Sequence, residues 1–205
     1  MFQAVRQYVP VGARVLDVGS GRGELLKRLS DTGYVVRGCD MDDRCVELGS
    51  AYAEVRKLAV EEVSPEEFDG KFDCVVMSHV LEHVENPREA LRRVSSVLDG
   101  LMVISVPNPY YLPNMRAAVL RREVGYVNTG HLHTWDWSHF KTFLEAGCGH
   151  EVVDWFHDAV PLPLTGRTRG TLHRMGALSF IENRVLRSAL PRFCRSVTAV
   201  TRPGS

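Results

Sequence analysis

Apolar positions along the chain follow two rhythms that take turns. Short, β-branched runs bounded by turn residues occur at Arg14–Val18, Tyr34–Cys39 and Leu101–Val106, and His150–Phe156 and Ser196–Thr201 have similar length. Runs of this kind predict strands, the first three of them buried on both faces as in a parallel sheet. Between them the spacing becomes helical. Leu25, Leu26 and Leu29 form one stripe, and Leu91, Val94, Val97 and Leu98 form another behind Asn86-Pro87, a pair that suits a helix start. A further helix ends near Ala146 with Gly147 as its terminal residue, and a short one covers Phe2 to Tyr8. Strands alternating with helices predict an α/β fold.

Where the first strand meets its helix, an apolar run ends in Asp17 and passes Gly19, Gly21 and Gly23 before opening at Glu24. Glycines at alternate positions tolerate positive φ and let a ligand lie against bare main chain. In open α/β sheets, ligands sit at the carboxyl ends of strands, where this loop falls. The spacing is G-x-G-x-G, not the G-x-G-x-x-G of dinucleotide sites. A carboxylate at position 17 would crowd a pyrophosphate but suits a ligand carrying an ammonium group. The second strand ends at Asp40, whose carboxylate suits the two hydroxyls of a ribose.

The run from Asp17 to Gly23 resembles motif I of the class I S-adenosylmethionine-dependent methyltransferases, (D/E)-x-G-x-G-x-G. Phe72 to Val84 resembles the same family's fourth strand and the segment after it, F-D-x-V-x-x-x-x-x-L-E-H-V. The resemblance implies a Rossmann-like, seven-stranded, mostly parallel sheet with helices on both faces, its last strand antiparallel between strands five and six. It implies S-adenosylmethionine held by Asp17, Gly19, Ser20, Gly21 and Gly23, with Asp40 on the ribose, Met41 packed on the adenine and Ser78 nearby. One position departs from the pattern. Ala59 stands where the family usually has an acid, so the adenine amino group is expected to meet Glu61 or the backbone around Val60.

Substrate choice belongs to the segments outside the shared pattern, 107–136 and 158–194 of a single domain spanning 1–205. The first holds Ser105-Val106-Pro107-Asn108-Pro109 and then His131-Leu132-His133-Thr134-Trp135, similar to methyltransferases of the methionine-biosynthesis W type and to others acting on sugars and secondary metabolites. In such proteins the histidine motif lies beside the acceptor. An O-methyl acceptor is the favoured reading, and histidine is the natural base for it. The candidates are His79, at the end of the fourth strand, and His131 and His133 on the insert. His83 reads instead as a tie to neighbouring backbone. His79-x-x-Glu82-His83 also puts three potential metal ligands on what would be one helical turn. Relatives acting on quinone precursors use E-x-x-E-H there for a divalent cation, but His79 replaces the first acid, so no metal is expected.

Composition narrows the partners. The net charge is +0, yet residues 1–113 carry 13 Lys+Arg against 18 Asp+Glu, and residues 114–205 carry 12 against 7. The rear half lacks the dense basic stripe of a nucleic-acid binder; it suits an anionic small substrate or an acidic partner patch, and equally arginines that solvate the outside of helices. Thr171 to Leu190 reads as an amphipathic basic helix that packs on the core or on a homodimer partner rather than entering a membrane. No stretch approaches the ~20 apolar residues of a membrane span. Met1 to Pro10 lacks a secretory layout, and five scattered cysteines read as free thiols, so a cytoplasmic location is expected. Two other readings stand beside the enzyme: a non-catalytic S-adenosylmethionine-binding accessory protein, and a nicotinamide-dependent dehydrogenase.

Overall fold

The computed structural model describes residues 1–120, 130–158, 160–161 and 180–204. Strands lie at Arg14–Val18 (β1), Val35–Asp40 (β2), Glu54–Lys57 (β3), Phe72–Ser78 (β4), Leu98–Pro107 (β5), His150–His157 (β6) and Ser196–Pro203 (β7). They form one seven-stranded sheet in the order β3-β2-β1-β4-β5-β7-β6. β1 to β5 pair in parallel, and β7 runs antiparallel to both β5 and β6. The strand order reverses between β1 and β4, which opens a crevice at their carboxyl ends.

Helices lie at Phe2–Tyr8 (α1), Glu24–Ser30 (α2), Asp43–Gly49 (α3), Pro87–Ser96 (α4), Leu112–Val119 (α5) and Trp137–Thr142 (α6). Alternate strand residues point to opposite faces, and two cores result. Val15, Cys74, Val76 and Val103 pack with Ala4 and Val5 of α1 and Leu29 of α2. Leu16, Val75, Met77 and Ile104 pack with Leu91 and Val94 of α4 and Phe140 of α6. Helices as short as α1, α2 and α3, 7 residues each, do not persist alone. Burial against the sheet stabilises them, at roughly 1.5–3 kcal/mol for each large apolar side chain fully removed from water.

Three local expectations have different outcomes. The segment after β4 is a turn, not a helix: His79 has φ 58°, and α4 starts only at Pro87, capped by Asn86 Oδ1 accepting from the Glu89 amide at 3.2 Å. His79, Glu82 and His83 therefore do not share a helical turn. The helix expected to end near Ala146 with Gly147 as its last residue does so: α6 continues as a π-helical turn through Phe143–Gly147, and the left-handed residue beyond it is Gly149, with φ 70°. Finally, most of the expected helix over 171–190 lies outside the described residues, as do Arg121 and Arg122 of the basic run; the described part is a π-helical turn, Ile181–Leu186, running into Arg187–Ala189. Among the described residues no helix is long and apolar enough to cross a membrane. All five cysteines are free.

Candidate functional site

The corner between β1 and α2 is built from main chain. The Gly19 and Ser20 amides donate to the Cys39 carbonyl at 2.8 and 3.0 Å, tying the loop to the end of β2. Gly19 has φ 70°, and a Cβ there would lie 2.4 Å from Val80 Cγ2. Gly23 has φ 80°, and its Cβ would meet Gly49 Cα at 2.8 Å. At both positions a side chain would be strained by conformation and crowded by its neighbours. Asp40 locks the loop from the other side: its Oδ2 accepts from the Gly21 amide at 2.8 Å and its Oδ1 from the Asp42 amide at 3.0 Å.

Two cavities open on this corner. One, about 460 Å³, is lined by Asp17, Gly19, Ser20, Gly21, Leu25 and Ser78, among others. The other, about 470 Å³, is lined by Gly19, Asp40, Met41, Val60, Glu61 and His79, among others. The shared Gly19 joins them into one groove over the carboxyl ends of β1 and β2. Of the positions named for the cofactor, only Gly23 lies off the lining; it shapes the turn and starts α2. Met41 is 74% exposed on the wall of this second cavity. Glu62 caps its own 3₁₀ turn by accepting from the Ala59 amide at 2.9 Å, so of this acidic pair it is Glu61 that lines the cavity.

The electrostatics of the corner favour a cation. Asp17 is 2% exposed, and burial, reinforced by the charge of Asp40, pushes its carboxyl up to about 7. Ser20 Oγ is buried and has no hydrogen-bond partner among the described residues. A buried carboxyl and an orphaned hydroxyl beside bare main chain fit a ligand that brings an ammonium group and hydrogen-bonding atoms of its own.

The opposite rim is organised around His79. Its left-handed backbone is uncommon for a residue with a side chain and carries strain. The ring is held at both nitrogens: Nδ1 lies 3.0 Å from Glu82 Oε1, and Nε2 lies 3.0 Å from Ser196 Oγ on β7. Glu82 is wholly buried. With Glu82 ionised its oxygen only accepts, so Nδ1 would carry the proton and Nε2 would accept from the Ser196 hydroxyl. Nothing in the spacing of the chain signals Ser196, which meets His79 across 117 positions.

The insert histidines lie behind this rim. The Leu132 and His133 amides donate to the Glu82 carbonyl at 2.7 and 3.2 Å, docking the insert on the turn after β4. His131 packs edge-on against His83, ring centroids 4.8 Å apart, and burial lowers its pKa. His133 stacks on Trp135 at 5.4 Å, with a buried Nε2 that has no hydrogen-bond partner among the described residues. Neither lines the three cavities at the carboxyl ends of the strands, whereas His79 lines two of them. His83 Nδ1 lies 3.3 Å from the Gly130 carbonyl, the backbone tie expected of it. The grouping of ligand types also differs from the spacing argument. His79 turns to Ser196, and His131 joins Glu82 and His83, with one ligand atom from each within 4.8 Å of the others.

An acid-tipped glycine corner at a strand-order reversal defines a binding protein for a nucleoside-type ligand. Comparison with known proteins makes this specific. The family description "Methyltransferase domain" matches residues 2–153, and the chain belongs to the class I S-adenosylmethionine-dependent methyltransferase family. It is 37% identical over 106 residues to a ubiquinone biosynthesis O-methyltransferase of Bradyrhizobium diazoefficiens, covering 47% of this chain and 41% of that one. A Geobacillus sp. (strain WCH70) protein named as a methyltransferase is 29% identical over 165 residues, 73% of this chain and 63% of its own. The chain thus spans less than two thirds of the length of these relatives. A SAM-dependent methyltransferase from Archaeoglobus fulgidus shares the fold, with TM-score 0.65 at 23% identity over 98% of this chain and 91% of that one. Family membership sets aside the nicotinamide reading.

Proposed function

We propose that the protein transfers the methyl group of S-adenosylmethionine to an oxygen of a small molecule. One observation carries the reading: buried Asp17 and loop-locking Asp40 flank a groove of bare main chain whose far rim is a histidine held at both nitrogens. Asp17 is assigned to the ammonium group of the methionine part, Asp40 to the ribose, and Met41, Val60 and Glu61 to the adenine. The bound cofactor supplies an already electrophilic methyl group, so the protein must position the acceptor and remove its proton. His79 is assigned as the base. An acceptor hydroxyl at Ser196 passes its proton to Oγ while the Ser196 proton moves to His79 Nε2, and Glu82 stabilises the ring as it becomes cationic. His131 and His133 are assigned to holding the turn that carries Glu82, not to proton transfer. The Bradyrhizobium relative's name, an O-methyltransferase, supports oxygen as the acceptor atom.

The test pairs calorimetry with product formation. S-adenosylmethionine and its demethylated product SAH should bind the wild-type protein, and labelled methyl should appear in a small-molecule fraction of a metabolite extract. Cofactor binding without any labelled product, over extracts of varied origin, favours the accessory-protein reading. Absence of cofactor binding defeats both.

A further inference from the structure

Beyond Ser78 and His79 lies a third cavity, unlike the two on the glycine corner. It has a volume of about 530 Å³ and is walled by Phe2, Phe156, His157, Arg187, Arg195 and Ser196, among others. That size lies in the range of roughly 300–1,000 Å³ typical of small-molecule sites. Its two apolar faces come from α1 and β6, and its cationic end comes from the residues just before β7. Among the described residues neither Arg187 nor Arg195 has an ion-pair partner. The acid on the same wall, Asp158, is already engaged: its Oδ1 accepts from the Arg195 and Ser196 amides at 2.9 and 3.3 Å. Arg187 is near enough to His157 to act with burial in lowering its pKa, against the opposing charges of Asp154 and Asp158. Guanidinium groups grip oxyanions through paired, charge-assisted hydrogen bonds, and partial desolvation strengthens them.

We propose that this cavity is the acceptor site and that the acceptor carries an oxyanion group, carboxylate or phosphate, bound by Arg187 and Arg195. Its apolar body lies between Phe2 and Phe156, and its hydroxyl reaches the Ser196–His79 end of the same cavity. The inference rests on the methyl-transfer reading and adds the class of substrate. Arg28 is left out of the assignment because its guanidinium is already stacked over the Phe2 ring, 4.3 Å from the centroid.

Calorimetry on the SAH-saturated full chain tests it with two matched pairs of probes: 3-hydroxyphenylacetate against its amide, and phenyl phosphate against phenol. In at least one pair the anion should bind tenfold or more tightly than its neutral partner, and the pair that does so identifies the group. The R187Q/R195Q variant should lose that preference and keep its SAH affinity within about twofold, while R195K should keep part of the preference. Circular dichroism checks that each variant is folded. Equal affinities in both pairs, no binding of any probe, or a preference that survives the double variant overturns the proposal. A wild-type protein that takes up no SAH overturns the methyl-transfer reading itself, and the proposal with it; this is seen before any probe is added.

Discussion

The two ends of the sheet are built on different principles. On the β1–β2 side the groove is main chain and short side chains, held by contacts near in sequence: Gly21 meets Asp40, 19 positions away, and Asp40 meets Asp42. On the β6–β7 side the cavity is made of long side chains gathered from distant places, with Ser196 on His79 and Asn108 donating to the Cys194 carbonyl 86 positions away. A site made of backbone tolerates few substitutions and recognises one ligand. A site made of side chains can be re-cut by exchanging them while the sheet stays intact. The contrast explains why a family keeps one cofactor and many acceptors.

If the glycine corner is rigid main chain, Gly19→Val should have the largest effect. It combines a strained φ with a Cβ 2.4 Å from Val80, so roughly 2–5 kcal/mol of stability should be lost together with cofactor binding. Gly21→Val sharpens the comparison. Its φ is 54°, but nothing lies within 4 Å of its Cβ, so the protein should stay folded while SAH binding disappears in calorimetry. Retained binding in the Gly21 variant would place the ligand elsewhere.

On the acceptor side, His79→Gln should lower kcat by about 10²–10⁴ while SAH affinity changes only a few fold, because proton removal is lost while Asp17, Asp40 and the glycine loop are kept. Ser196→Ala should fall in the same direction, with KM little changed. His133→Ala should change kcat by less than a few fold and lower the melting temperature instead. A large kcat loss in the His133 variant with unchanged melting would return the base to the insert.

Asp40→Ala should weaken SAH by ~1–3 kcal/mol through lost charge-assisted hydrogen bonds and a loosened loop. The smallest and most diagnostic effect concerns Asp17. Its carboxyl is raised from an ordinary 3.8 to about 7, so the folded, ligand-free protein holds this proton more tightly than the unfolded chain. The stability this group contributes is full below about pH 4 and is lost as pH rises towards 7. A bound ammonium group favours the carboxylate, so cofactor affinity should rise with pH through the same region. Asp17→Asn should flatten that dependence in calorimetry between pH 6 and 8, and raise the melting temperature of the ligand-free protein at pH 8. A pH dependence unchanged in the Asn variant would remove Asp17 from the ammonium site.

Most of the sheet is legible in local pattern because strands buried on both faces must be continuously apolar. The observed strands extend the expected ones by a few residues at most, as β5 does in starting at Leu98. The glycine corner is legible because positive φ and close approach leave glycine little competition. The turn after β4 is not legible in this way. Its residues match a helix by composition, but docking of the insert on the Glu82 carbonyl and the Asn86 cap hold it as a turn. Hydrogen bonds to partners dozens of positions away leave no periodic trace.

Local chemistry by itself determined that this chain carries a strand, an acid, a glycine corner and a second acid in the order that holds a nucleoside. Tertiary structure alone decided which histidine faces the groove, that Glu82 and Ser196 clamp it, and that Arg187 and Arg195 close the neighbouring cavity. The first set is written in short-range sterics of the main chain. The second depends on side chains that meet only once the antiparallel β7 has been laid beside β5, which brings Ser196 opposite Pro107 and over the end of β4.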